Sequence, residues 1–331
     1  MELGKSGKGN RVQIIDVARG VAIIAMVVYH LFWDLSYFRI FPVDVGYDPG
    51  WVLFARSILF AFTFLVGVGL VMGHGRGIRW ASFWRRWAFL GAGAALITIS
   101  TLVTFPETFV YFGVLHAIAA ISILALPFLF TPIWLTAIAG LMIALLPFVY
   151  SDPFFDQKIV SWIGLWVVPP PSNDLVPLFP WLGVGLLGVS AMRIATTTGF
   201  IQTLAKLNSR SALMRGLAFL GRWSLLIYLL HQPILMGVIT PLASVMGTQE
   251  AARELEFLNS CQSTCEHGGT TAEQCAIFCQ CGLAGINEND LWGPIYSGLF
   301  DEGQQSILDE SNRQCSVLIY PELEGQLPRV D

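Results

Sequence analysis

Apolar residues gather into seven runs, at residues 13–37, 52–73, 87–105, 109–130, 132–150, 178–195 and 218–245. Each is near the roughly 20 residues that cross a bilayer as a helix. The breaks between them are rich in turn formers: PVDVGYDPG, GHGRGIRWASFWRR, PETF, the Thr131–Pro132 pair, a long segment containing PPPSND, and TTTGFIQTLAKLNSRSALMRG. Trp33, Trp51, Tyr111, Trp134 and Trp181 fall near the predicted ends, where amphipathic rings sit at a membrane surface. The pattern predicts an all-α, polytopic membrane helix bundle of about seven transmembrane helices over residues 13–246, with a short terminus before it (1–12) and a tail after it (247–331). One further apolar stretch, IVSWIGLWVV at 159–168, is too short to span and reads as an interfacial or re-entrant piece. As a full crossing it would put the tail on the opposite side.

The first run carries an anomaly. DVARGVAIIAMVVYHLFWD holds Asp16, Arg19, His30 and Asp34, and ionisable groups inside a membrane are costly enough to suggest function. At about 100° per residue the four fall within roughly a 60° arc, so this stripe faces protein or a wet cavity rather than lipid. Asp34 stands one turn beyond His30 on the same face, and the two are expected to share a hydrogen bond.

Composition agrees with the pattern and adds an orientation. Of the 331 residues, 54% are hydrophobic and 13% charged, a membrane-protein balance. Charge divides the chain: up to residue 249 there are 16 Lys and Arg against 9 Asp and Glu, and from Glu250 onward 3 against 14. With the N-terminus in the cytoplasm, Lys5, Lys8, Arg11, Arg19, Arg76, Arg79, Arg85, Arg86, Arg193, Lys206, Arg210, Arg215 and Arg222 all lie on or near the inner side. Seven crossings then deliver the acidic tail outside, where its six cysteines, all beyond residue 260, can form disulfides. The expected location is the cell (inner) membrane with an extracytoplasmic, periplasmic tail. The first run reads as a retained helix, being too long and too charged for a cleaved signal.

In that topology His30, Arg56, His116 and His231 reach a similar depth in the outer leaflet from four helices. Each also has a structural reading. A buried His can satisfy an interhelical hydrogen bond, Arg56 can snorkel to a headgroup, and His231, before Gln232 and Pro233, can bond carbonyls that a proline frees. Their convergence with Asp34 makes the five a candidate catalytic set. On the inner side Arg19, Arg85 and Arg86 are candidates for binding cofactor phosphates, or are positive-inside anchors. Gly67, Gly69, Gly73 and Gly75 lie within a helix and suit helix packing rather than phosphate binding, and His74 reads as exposed and idle.

In the tail, Cys261 and Cys265, then Cys275 and Cys279, repeat a spacing that lays each pair on one helical face. Two helices at about 257–282 stapled by two disulfides fit this spacing, as does a zinc site with His267; the oxidising side favours disulfides, and no metal is expected. Cys281 and Cys315 are left over, and the remaining acidic, glycine-containing tail reads as partly disordered or lightly folded.

IIDVARGVAIIAMVVYHLFWDL, FGVLH at 112–116, PLFPWLGVGLLG at 177–188 and GRWSLLIYLLHQP at 221–233 together resemble the bacterial relatives of the heparan-alpha-glucosaminide N-acetyltransferase catalytic domain, a family of transmembrane acyltransferases. The resemblance covers roughly residues 10–240. It implies transfer of an acetyl group from cytoplasmic acetyl-CoA, through the membrane domain, to an amine or hydroxyl of an extracytoplasmic sugar. It also places His30 where membrane-bound acyltransferases carry a first-helix His after an arginine–glycine pair, here Arg19 and Gly20. The expected partners are the lipid bilayer and a glycan or cell-envelope sugar acceptor, with acetyl-CoA as acyl donor and no nucleic acid; a homo-oligomer stays open. In this reading His30, oriented by Asp34, takes the acceptor's proton, Arg56 meets the oxyanion, and His116 or His231 supplies hydrogen bonds. Two rival readings use the same residues differently: a proton-coupled transporter, for which the two halves lack an internal repeat, and a non-catalytic scaffold whose tail binds partners.

Overall fold

The computed structural model describes residues 12–206, 211–297 and 299–321. Lys5, Lys8, Arg11 and Arg210 of the orientation argument lie outside the described residues. The chain divides into two compact units, one of residues 12–36 with 43–238 and one of residues 37–42 with 239–321, and all regular structure described in them is helical.

The first unit is built from α1 (Gln13–Tyr37), α2 (Pro49–His74), α3 (Trp80–Thr104), α4 (Val114–Leu124), α5 (Ile133–Leu145), α6 (Leu178–Thr197), α7 (Phe200–Lys206), α8 (Ala212–Arg222) and most of α9 (Ser224–Met246). Five of these, α1, α2, α3, α6 and α9, are long and apolar enough to cross a membrane. The chain is therefore an integral membrane protein with a helical bundle. α4 and α5 stand where the fourth and fifth apolar runs lie, but they are shorter. Pro127 and Pro147, lacking an amide hydrogen, turn their continuations into 3-10 segments at Pro127–Leu129 and Leu146–Phe148. Residues 159–168 form a 3-10 turn at Ser161–Ile163 and irregular chain, with no spanning helix.

Local chemistry sets the helix ends. The Asp48 side chain accepts hydrogen bonds from the Gly50 and Trp51 amides, and Pro49 supplies a first-turn φ, so α2 starts there. α3 stops at Thr104, two residues before Pro106. The expected run 218–245 is broken at Trp223 into α8 and α9; α8 is a separate amphipathic helix whose cap is Ser211, accepting from the Met214 amide.

Small residues bring the helices into close contact. A Cβ on Gly67 would lie 2.0 Å from the Gly185 carbonyl oxygen, and one on Gly188 would lie 2.2 Å from the Phe64 carbonyl oxygen, so α2 and α6 touch backbone to backbone. Gly183 makes the same approach to α5, within 2.5 Å of the Gly140 oxygen. Gly20 of α1 and Gly221 of α8 meet Leu217 and Asp16 in the same way. The packing role expected of the glycine series in α2 thus holds for Gly67, whereas Gly73 has nothing within 4 Å and Gly75 ends the helix. On α3, Phe89, Leu96, Ile99 and Val103 form an exposed apolar stripe at helical spacing, the kind of surface lipid covers.

The second unit holds the end of α9, α10 (Thr248–His267), α11 (Ala272–Glu288), α12 (Trp292–Ser297) and α13 (Glu302–Ile319). α10 and α11 form the expected stapled hairpin, with Cys261 paired to Cys279 and Cys265 to Cys275 across Cα separations of 5.8 and 5.7 Å. Zinc has no thiolates to bind here, because all six cysteines are paired, and the His267 Nδ1–H donates to the Ser263 carbonyl. The rest of the tail departs from the lightly folded expectation. Asp301 and Gln304 close a reciprocal capping box that starts an 18-residue α13, and Cys281–Cys315 ties it to α11. A small core of Ile286, Leu291 and Trp292, with Arg253 over the Trp292 ring, completes the unit.

Candidate active site

In the first unit α1 and α9 meet and carry polar groups that face one another. Ile23 and Met26 of α1 pack with Ile227 and Tyr228 of α9 and with Ile58 and Phe54 of α2. One turn further along, the packing becomes polar. The His30 and His231 rings stand 4.8 Å apart at 61°, Tyr29 meets His30 edge-on, and Tyr228 lies against His231. Asp34 is fully buried, and its Oδ1 accepts a 2.7 Å hydrogen bond from Gln232 Nε2.

The expected His30–Asp34 hydrogen bond is not among those formed; Asp34 is held from the other helix instead. Four buried polar atoms here have no partner: His30 Nδ1, Asp34 Oδ2, His231 Nε2 and Gln232 Oε1. Buried polar atoms are nearly always paired, so four unpaired ones on two adjoining helices mark a place where a bound molecule completes the bonding. The geometry also fixes a tautomer. His231 Nδ1 lies 2.7 Å from the Tyr228 carbonyl oxygen, which can only accept, so Nδ1 bears the hydrogen and Nε2 in the neutral ring is a free lone pair. The carbonyl-bonding reading of His231 is therefore met through Nδ1, and it leaves the other nitrogen available as a base.

A third acid arrives from a loop. Segment 151–177 is pinned onto segment 105–113 by Asn173 N to Thr108 O, Val176 N to Phe112 O, Ser172 Oγ to Phe109 O and the Tyr111–Ser161 hydroxyl pair. This carries Asp174 to the start of α4, where Oδ2 accepts from the Val114 amide at 3.1 Å. A Cβ at Gly113 would fall 2.5 Å from that oxygen, so a larger residue there would displace the carboxylate. Asp174 lies within electrostatic range of both Tyr29 and Tyr228, the two rings that flank the histidines. Desolvation raises its pKa to about 6, against the lowering effect of the Val114 bond.

The remaining predicted residues sit elsewhere. His116 is engaged at both nitrogens: Nδ1 accepts from the Gly113 amide as part of the α4 cap, and Nε2 pairs with Thr98 Oγ1 at 3.2 Å. Arg56 is exposed and bonds none of the cluster. Near the N-terminal end of α1, Arg19 pairs with the buried Asp16 at 3.6 Å and reaches Gly69 of α2, where an added Cβ would meet its guanidinium at 2.8 Å and that of Arg86 at 3.9 Å. Gly69 and Arg86 line a cavity of about 110 Å³ together with Gly73, His74, Arg79 and Ser122. Arg79 is fixed there by a 2.9 Å bond from Nε to the Gly73 carbonyl. His74 is buried rather than exposed, its Nδ1 accepting from the Arg79 amide. Arg85 is exposed and outside this cleft.

Asp174, Gln232, Tyr29, Tyr228 and Arg79 escape a reading of the sequence. The first belongs to a loop whose path no periodicity gives, and the tyrosines and Gln232 read as ordinary helix residues. The only signal for them is adjacency, since Tyr29 precedes His30 and Gln232 follows His231.

The fold and this cluster define a polytopic helical membrane protein with a buried, incompletely bonded polar site between its first and last long apolar helices. Residues 11–233 match the family model described as "Heparan-alpha-glucosaminide N-acetyltransferase, catalytic", a span that ends just after His231 and Gln232. The chain belongs to that family of membrane acetyltransferases. No curated protein and no solved structure matches the chain.

Proposed function

We propose that the protein transfers an acetyl group from cytoplasmic acetyl-CoA to an amine or hydroxyl of a sugar on the far side of the cell membrane. The observation that carries this reading is the set of unpaired buried atoms on α1 and α9, inside the span that matches the acetyltransferase family. His231 Nε2 takes the proton from the attacking nitrogen or oxygen as that atom bonds to the thioester carbon. The carbon–sulfur bond then breaks, and the thiol leaves with the same proton. The Tyr228 carbonyl holds the ring and stabilises the imidazolium formed in between, the part a third member plays in a catalytic triad. His30 presents its unpartnered nitrogen to the acyl oxygen.

The arginine cleft supports the donor side. Arg19, Arg79 and Arg86 gather beside glycines that admit close approach, which suits the phosphates of a CoA moiety. From Arg19 to His30 is 11 residues of one helix, about 16 Å at 1.5 Å per residue, a distance that an extended pantetheine arm spans. The positive-inside rule puts the cleft at the cytoplasmic face. The bilayer is the protein's obligate partner in this reading.

The test is acetyl transfer by the purified full-length protein from labelled acetyl-CoA to glucosamine. His231→Ala is expected to cost about 100-fold or more in kcat, the usual scale for losing a general base. Arg19→Ala and Arg86→Ala are expected to raise the KM for acetyl-CoA instead. Unchanged transfer by both His30→Ala and His231→Ala would overturn the assignment.

A further inference from the structure

α8 has two faces, and the bundle uses one of them. Met214, Leu217, Ala218 and Gly221, at i, i+3, i+4 and i+7, turn toward the protein, and Gly221 and Leu217 meet Asp16 and Gly20 of α1 backbone to backbone. Arg215, Phe219 and Arg222 fall within roughly a 60° arc on the opposite side, and all three are exposed. Trp223, half exposed like Phe219, ends the helix one turn further on, its ring 6.2 Å from that of Phe219. Nothing neutralises this face. α8 contains no acidic residue, and among the described residues neither Arg215 nor Arg222 makes an ion pair or a side-chain hydrogen bond.

The neighbouring surface shows what covers the face. From Trp223 a row of exposed apolar side chains continues along α9 as Leu226, Leu230, Ile234 and Val238, at the spacing of one helix face and of the kind that hydrocarbon covers. α9 is long and apolar enough to span, and the start of a spanning helix lies among the headgroups, so α8 presents its arginines at that level. Guanidinium groups hold phosphate oxygens through a fork of N–H donors, and rings of this kind pack on the apolar part of a lipid just below its phosphate. A zwitterionic headgroup adds an ammonium that two arginines repel, whereas an anionic one adds none. We propose that the outer face of α8 is a site for an anionic phospholipid, with Arg215 and Arg222 on the phosphate and Phe219 and Trp223 against the glycerol and the upper acyl chains. Neither arginine lines the cleft that holds Arg79 and Arg86, so the site is separate from it and needs no acetyl transfer to be occupied.

The experiment compares phosphatidylglycerol with phosphatidylcholine on the full-length protein. Native mass spectrometry counts the lipids retained from an equal mixture, and amide hydrogen exchange over residues 212–222 is followed in nanodiscs containing either lipid. Wild type is expected to retain phosphatidylglycerol about tenfold or more over phosphatidylcholine, since each arginine near a headgroup contributes, and to exchange severalfold more slowly in α8 when phosphatidylglycerol is present. Arg215→Gln combined with Arg222→Gln is expected to lose most of the preference and the slowing. Arg76→Gln combined with Arg85→Gln removes two exposed arginines from outside α8 and is expected to keep both. Arg215→Gln alone, with a smaller loss, carries the comparison if the double variant does not fold. Equal retention of the two lipids by wild type would overturn the proposal, as would a preference unmoved by removing Arg215 and Arg222. An equal loss in the Arg76 and Arg85 variant would also overturn it, because the preference would then belong to diffuse positive charge rather than to a site on α8.

Discussion

His231 shows how a single hydrogen bond decides a residue's chemistry. With Nδ1 committed to the Tyr228 carbonyl, the neutral ring has one basic nitrogen, and it faces a buried site with nothing to accept from. Gln232 is its structural counterpart, because it supplies the one bond that Asp34 has. Gln232→Ala strands a buried carboxyl group and should destabilise the protein by about 1–3 kcal/mol, visible as a lowered thermal midpoint, together with a fall in kcat. Asp174 adds a pH dependence. Its carboxyl titrates at about 6, raised by desolvation, with the Val114 amide of α4, Tyr29 of α1 and Tyr228 of α9 as the groups around it. The ionised form prevails above that pH, so acceptor affinity that depends on its charge is present above about 6 and is lost as pH falls through it. A rise in acceptor KM on that acid limb, absent in Asp174→Asn, is the expected profile; the sign for folding is opposite, since ionising a raised carboxyl costs stability as pH climbs.

Among the elements, apolar run length located the long helices to within seven residues at their ends, because a bilayer demands length and greasiness before any detail. What run length leaves open is where a run is interrupted. The break at Trp223 inside an apolar stretch comes from α8 docking its Gly221 on Asp16 and Gly20, a tertiary contact with no local signature. The proline-shortened α4 and α5 are legible in hindsight from Pro127 and Pro147. The catalytic candidates divide by the same logic. Helical spacing places His30 and Asp34 on one face and leads to the polar cluster, whereas His116 and Arg56, nominated by similar depth, lie outside it because depth says nothing about direction around a helix. Asp174, on a loop, is beyond any period. The glycine contacts make a direct prediction about elements. Gly188→Ala forces a methyl into the Phe64 carbonyl and should cost about 1–3 kcal/mol, whereas Gly216→Ala, with open space around it, should be neutral or slightly stabilising; thermal melts in detergent compare the two.

The whole molecule pairs a membrane unit that holds both the arginine cleft and the histidine pair with a second unit held by three disulfides. Reduction should therefore loosen α10, α11 and α13, seen as faster amide hydrogen exchange over 248–319, while acetyl transfer continues. The scaffold reading expects the reverse, with function lost alongside residues 250–331. In this reading the groups along α1 join two compartments, donor at one end and acceptor site further along. Sealed proteoliposomes with labelled acetyl-CoA outside and glucosamine trapped within provide the test. Labelled N-acetylglucosamine is expected to accumulate inside, at a rate that His231→Ala lowers by about 100-fold. Labelled product formed only when donor and acceptor share a compartment, or formed equally fast by His231→Ala, would contradict it.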